Sequence, residues 1–167
     1  MYSAYVGLGA NLGDPAAQLR AALDAIAALD GTRIVATSRF YRSAPMGPPD
    51  QPEYCNAVCQ VQTALSPRDL LDALIGIERT AGRIRSGERW GPRRLDLDLL
   101  HVEGIAMDEP GLHLPHPGIA SRNFVLVPLA ELAPQLQIPS LEPIDTLART
   151  VGMEGLSAWD ALDAPPA

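Results

Sequence analysis

The chain has 167 residues, 47% hydrophobic and 20% charged, with a net charge of −7. That excludes a disordered polyampholyte, is enough for one domain spanning residues 1–167 that buries roughly 70% of its unfolded surface, and disfavours nucleic acid as a partner. All thirteen basic residues are arginine, which excludes a Walker-type phosphate loop, a Schiff base and any lysine nucleophile. No apolar run approaches the ~20 residues that span a bilayer. Met1 leads straight into a strand-like segment without a basic, apolar leader, so the expected setting is cytoplasmic, with no membrane partner.

Residues 2–8 alternate small and apolar side chains and predict a first strand. Gly7, Gly9 and Gly13 come next, but the third glycine of a dinucleotide fingerprint would fall at Leu12, so that motif is absent. Asp14 as N-cap and Pro15 at the first helical position predict a helix over 15–29, with Leu19, Ala22, Leu23 and Ile26 inward and Gly31 at its end. The β-branched and aromatic run 33–43 predicts one strand, and the four prolines within 44–53 predict a stiff loop. Over 54–65 a further strand places Tyr54, Asn56 and Val58 on one face and Cys55, Ala57 and Cys59 on the other. Four residues of strand span about 13 Å, too far for a Cys55–Cys59 disulfide. An aromatic ring and an amide side by side at Tyr54 and Asn56 suit a flat heterocycle.

Ser66, Pro67 and Asp69 start a second helix, with Leu71, Leu74 and Ile75 as its buried stripe and Gly82 as its stop. Glu78 falls on the same stripe, either at the exposed helix end or turned toward the arginine-rich run that begins at Arg83. That run, RIRSGERWGPRRLDLDLL, covers residues 83–100, and in it Arg83, Arg85, Arg89, Arg93 and Arg94 precede a strict alternation. As a strand, the alternation points Leu95, Leu97 and Leu99 to one face and Asp96 and Asp98 to the other, the carboxylates about 6.5 to 7 Å apart. Two like charges on one face repel unless neutralised. Mg²⁺ takes one or two protein carboxylates and completes its shell with water and phosphate, while guanidinium groups bind phosphate in a bidentate way. The juxtaposition points to nucleotide phosphoryl chemistry.

Residues 101–108 predict a turn around Glu103 and Gly104 with a short return strand, and 112–117 a proline-punctuated loop carrying His113 and His116. The two histidines lack a third and fourth zinc ligand; a histidine donating to phosphate, with Arg122 six residues on, suits the loop better. Residues 121–134 are expected to be helical after Phe124 despite Pro128, and 144–151 form a last helix; the tail from Gly152 carries no assigned role. Strand, helix, two strands, helix, strand gives an α+β fold, an antiparallel sheet with helices packed on it.

The segments YVGLGANLGDP, FYRSAPMGPPDQPEYCNAV, GRIRSGERWGPRRLDLDLL and PHPGIASRNFVLVPLAELAP together resemble the 6-hydroxymethyl-7,8-dihydropterin pyrophosphokinase family of folate biosynthesis. The resemblance implies a ferredoxin-like αβα sandwich and Mg-dependent transfer of pyrophosphate from ATP to the pterin hydroxymethyl oxygen, releasing AMP, by a monomer. It implies that Asp96 and Asp98 hold two Mg²⁺ ions and that Arg83, Arg85 and Arg93 act on the phosphates. Ser43, Ala44, Met46, Tyr54, Asn56, Trp90 and Phe124 fall where the family lines its pterin pocket. Leu71, Glu78, Arg85, Trp90, Arg93, Leu99, Leu112, His113, His116 and Arg122 fall on the ATP side. Ile75, Gly111 and His113 depart from some members, which carry glutamine, arginine and threonine there. The alternatives are a metal-dependent nucleotide-sugar transferase, which also uses a D-x-D pair, and a ferredoxin-like nucleotide sensor without turnover.

Overall fold

The computed structural model describes residues 1–44, 52–81 and 95–159. The arginine-rich run from Arg83 to Arg94, most of the proline loop and the predicted stop at Gly82 lie outside these residues. The elements are β1 (Tyr2–Ala10), α1 (Pro15–Ala27), β2 (Thr32–Thr37), β3 (Tyr41–Ser43), β4 (Tyr54–Thr63), α2 (Pro67–Thr80), β5 (Asp96–Val102), β6 (Met107–Glu109), β7 (Leu112–Leu114), α3 (Asn123–Leu132), α4 (Ile144–Val151) and β8 (Leu156–Ala158). A 3-10 turn covers Ile119–Ser121.

β1 lies at the centre, antiparallel to β5 on one side and β4 on the other. β2 and β3 both pair with β4, one after the other along its length. The order β5, β1, β4, then β2 and β3 is the antiparallel arrangement of a split β-α-β repeat, the ferredoxin-like architecture. The helix starts follow from their caps. Asp14 accepts from the Ala17 amide at 3.1 Å, and Ser66 from the Asp69 amide at 3.2 Å, each followed by proline at the first turn.

The period-two alternation of β1 and β4 divides the core into two. Ala4, Val6, Leu8 and Ala10 of β1 and Cys55, Ala57, Cys59 and Val61 of β4 meet α1 and α2 on the first face. Tyr5, Val58 and Leu100 meet α3 and α4 on the second. Neither cysteine is in a disulfide, and burial pushes the Cys59 thiol up to about 12. Helices on the two sides of the sheet make the expected sandwich.

Four expectations need correction. The single strand over 33–43 is two, because Ser38 donates its backbone amide to the Val58 carbonyl and its hydroxyl accepts the Val58 amide at 3.0 Å, interrupting the ladder. The buried stripe of α2 runs through Leu70, Leu74 and Glu78, with Leu71 only partly buried and Ile75 outside the core clusters; the i, i+4, i+8 row wins over the neighbouring one. The return strand after Gly104 exists as β6, but it pairs with β7 in a separate ribbon, which also turns the first half of the predicted 112–117 loop into strand. The tail from Gly152, which the sequence gives no element, contributes β8 as an edge strand against β3.

Candidate active site

Register across the sheet determines which side chains share the second face. Asp96 stands opposite Gly9, and Gly9 opposite Asn56, which in turn pairs with Tyr41. One row away, Asp98 stands opposite Gly7, and Gly7 opposite Val58. The aspartates and Asn56 are thus separated by a central strand that presents only glycine, two strand spacings or roughly 10 Å across. Leu95, Leu97 and Leu99 are buried and Asp96 and Asp98 half-buried, so the alternation read from the sequence holds in three dimensions. The fit is tight at Gly9 and ordinary at Gly7. A Cβ at Gly9 would stand 3.1 Å from the Asn56 amide nitrogen, and one at Gly7 3.4 Å from a Leu100 methyl.

Ser43, on β3, is buried, and its hydroxyl donates to Asn56 Oδ1. Tyr54 pairs with Ser43, and Ala44 follows it, exposed, so four of the predicted pterin residues gather at this end of the face. Asn11, just past β1, donates to the Pro52 carbonyl at 3.0 Å and ties the end of the proline loop to the same corner. The sequence marks Asn11 only as turn chemistry; its 1% exposure is the signal that it positions a neighbour. Phe124, half-buried in the first turn of α3, packs against the second-face cluster. Met46 and Trp90 lie outside the described residues.

The phosphate-side residues come from the loop after β7. A bulge in β5 leaves Leu100 without a partner in β1, and its carbonyl instead accepts the His116 amide at 2.8 Å. His116 Nδ1 accepts from the Gly118 amide at 2.9 Å, which leaves Nε2 to carry the proton of the neutral ring. Burial and, after it, the Arg122 guanidinium hold His116 below the usual histidine range, against the opposing pull of Asp96. His116 thus lies within electrostatic reach of both Asp96 and Arg122. Arg122 spreads over the Gly118 backbone and sits 6.0 Å from the Phe124 ring centroid.

The remaining ATP-side residues are placed differently. Glu78 is 3% exposed, not at an open helix end, and its carboxylate accepts the Leu97 amide at 2.8 Å. It therefore acts on the outer edge of β5 between the two aspartates, from the opposite face of the sheet. Leu99 and Leu112 are buried in the first-face core, so their side chains are not open to a ligand on the second face, and Leu71, in α2, packs against that same core behind the sheet. His113 is exposed on β7 and pairs with Asp108 at 2.6 Å. Arg83, Arg85 and Arg93 lie outside the described residues. Among the described residues no group of three or more His, Cys, Asp or Glu side chains is placed to hold a metal ion. No helix among them is long and apolar enough to cross a membrane.

Comparison with known proteins places this geometry. Residues 5–134 match the model of the 7,8-dihydro-6-hydroxymethylpterin-pyrophosphokinase (HPPK) family. The chain is 48% identical over 152 residues to a 2-amino-4-hydroxy-6-hydroxymethyldihydropteridine pyrophosphokinase of Pseudomonas aeruginosa, covering 91% of this chain and 93% of that one. It is 47% identical over 149 residues to the enzyme of the same name from Haemophilus influenzae, covering 89% and 92%. Among solved structures, a Plasmodium falciparum HPPK-DHPS superposes with a TM-score of 0.73 at 14% identity over 94% of this chain, which spans 47% of that longer chain; that likeness speaks to the fold. The matched residues contain the glycine-floored face, its two aspartates and the His116–Arg122 turn, and with relatives this similar along nearly their whole length, the chain belongs to the 7,8-dihydro-6-hydroxymethylpterin-pyrophosphokinase family.

Proposed function

We infer that the protein transfers the pyrophosphoryl group of ATP to 6-hydroxymethyl-7,8-dihydropterin in folate synthesis. The observation that carries the reading is the shared sheet face: a carboxylate pair and an amide-hydroxyl pair roughly 10 Å apart across Gly7 and Gly9, with His116 in electrostatic reach of both Asp96 and Arg122. A bicyclic heterocycle held at Asn56 lies flat on the glycine strand with its hydroxymethyl arm directed toward the aspartates. Tyr54 and Phe124 supply ring faces, and the Ser43–Asn56 pair directed hydrogen bonds, with Ala44, Met46 and Trp90 completing this half.

In the transfer, the hydroxymethyl oxygen bonds to the β-phosphorus of ATP while the bond from that phosphorus to the α,β-bridging oxygen breaks. AMP leaves and the hydroxyl proton is lost to solvent or a nearby base. Such transfer rests on alignment and charge neutralisation. The carboxylate pair, half-buried and facing a strand without side chains, fits Mg²⁺, whose other positions are filled by water and phosphate. Asp96 and Asp98 would hold one or two such ions, which when bound neutralise triphosphate charge. Arg83, Arg85, Arg93 and Arg122 supply fixed positive charge to the phosphates, and His116 offers Nε2–H as a donor to a phosphate oxygen. On the nucleotide side Leu99 and Leu112 have a backbone role, Leu71 backs them from α2, His113 has a rim position, and Glu78 braces β5. In this reading the protein works as a monomer.

The test is product analysis with ATP, Mg²⁺ and 6-hydroxymethyl-7,8-dihydropterin. AMP and the pterin diphosphate are expected in equal amounts. ADP with inorganic phosphate, a transferred sugar from a nucleotide sugar, or nucleotide binding without turnover would each sink the reading.

A further inference from the structure

Residues 152–159 lie beyond the stretch that matches the family model, yet they border the acceptor half of the site at two independent points. The first is β8. Its register places Leu156 opposite Ser43, Ser157 opposite Arg42 and Ala158 opposite Tyr41. Directly opposed residues share a face with Cβ atoms about 4.5–5.5 Å apart, so Leu156 stands beside the serine whose hydroxyl is bonded to Asn56. Leu156 is 7% exposed, while its neighbours Ser157 and Ala158 are open. The strand is held at its far end by the Trp159 amide, which donates to the Phe40 carbonyl at 3.0 Å, and by the Arg42 guanidinium 4.2 Å above the Trp159 ring.

The second point is the turn between two left-handed glycines, Gly152 at φ 71° and Gly155 at φ 74°. The Glu154 carbonyl in this turn accepts from the Asn123 side-chain amide at 2.8 Å. Asn123 opens α3 directly before Phe124, and the two line an open cleft of about 540 Å³ with Ser121, Arg122, Val151 and Glu154. One short segment thus grips both the strand that carries Ser43 and the helix turn that carries Phe124.

We propose that residues 152–159 are a positioning element of the pterin half of the site, with Leu156 as the side wall at Ser43 and the Glu154 carbonyl setting the first turn of α3. The inference rests on the pterin reading of the site. Its signature is selectivity between substrates. Leu156→Ala opens the wall, and Asn123→Leu keeps roughly the side-chain shape while removing the donor to Glu154 without adding charge beside Arg122; neither touches the aspartate pair. Each is expected to raise the KM for the pterin about tenfold, with kcat and the KM for ATP within about twofold of the parent. Leu156→Met, which keeps the volume, is expected to stay near the parent. A pterin KM unchanged in both folded variants, or KM values for the two substrates rising together, would overturn the proposal. Thermal melting checks folding, and since the variants disturb different contacts, one suffices if the other melts early. If the parent protein neither binds the pterin nor forms AMP, the functional reading itself fails and takes this proposal with it.

Discussion

Arg122 occupies space that only a glycine at 118 leaves open, since a Cβ built there would stand 2.7 Å from its guanidinium carbon. Gly118 has ordinary backbone angles, φ −85° and ψ −4°, so alanine fits the backbone and the conflict is with the side chain alone. Gly118→Ala is therefore expected to displace the guanidinium, which is the flexible party, and to raise the KM for ATP about tenfold while leaving the melting temperature nearly unchanged; titration with a non-hydrolysable ATP analogue checks it. His101 offers the opposite case, a titratable residue that acts on stability and not on the reaction. It is 2% exposed and stacks on Tyr5 at 6.4 Å between centroids, and its Nδ1 has no hydrogen-bond partner among the described residues. Burial holds its pKa below the usual histidine range, with Glu103 pulling weakly the other way. A folded-state pKa below the unfolded one means that the unfolded chain binds the extra proton, so the neutral ring's stability is present above about pH 6.5 and is lost as pH falls below it. His101→Leu is expected to flatten the stability profile between about pH 5 and 7, measured by urea unfolding. Profiles that stay parallel would show that His101 titrates alike in both states.

At the scale of elements, β5 depends on α2. Glu78 reaches through from the first face to accept the Leu97 amide, a donor on the outer edge of β5 with no strand beyond it among the described residues. Glu78→Ala leaves that buried donor unsatisfied, a loss of about 1–3 kcal/mol, and loosens the strand between the two aspartates. The expected result is a lower melting temperature together with a higher Mg²⁺ requirement, whereas Glu78→Gln, which keeps an acceptor, is expected to recover most of both. A variant that melts early but shows an unchanged Mg²⁺ response would separate the two effects. The same pair of elements shows what is legible in the sequence. Ser66-Pro67 and Asp14-Pro15 mark helix starts because a cap is local chemistry, and the aspartate alternation is visible because strand period is also local. Long-range contacts are not. The sequence leaves Glu78 either at an exposed helix end or turned toward the arginine run, because its partner lies nineteen residues on. The break at Ser38 depends on a hydroxyl meeting Val58 of another strand, and β8 is only three residues, Leu-Ser-Ala, defined by its partner β3 and not by any pattern of its own. Of the site, the types and faces of Asp96, Asp98, Tyr54 and Asn56 can be read directly. That Gly7 and Gly9 form the floor between them requires the register of three strands.

Across the whole molecule the sheet separates structure from chemistry. The first face is closed by α1 and α2 over an aliphatic core. The second is closed by α3 and α4 over Tyr5, Val58 and Leu100, while Gly7 and Gly9 beyond them carry no side chains. Asp96 and Asp98 project from the same strand as Leu97 and Leu99 but to the other side, and only the leucines belong to the first-face core. A substitution at either aspartate therefore removes charge without opening a cavity. It also relieves the repulsion between two like charges on one face. Catalysis loses the groups proposed to hold the metal and, through it, the triphosphate. Asp96→Ala and Asp98→Ala are each expected to lower kcat by on the order of 10³-fold or more, with a melting temperature within a few degrees of the parent and pterin binding retained. Leu97→Ala, one residue away and on the other face, is expected to do the reverse: a loss of about 2–5 kcal/mol in stability with product formation persisting at low temperature. Parallel unfolding curves and AMP assays on the three variants decide it. If an aspartate variant turns over at a near-parental rate at saturating Mg²⁺, the carboxylate pair is a solvated strand face and the phosphates are held elsewhere.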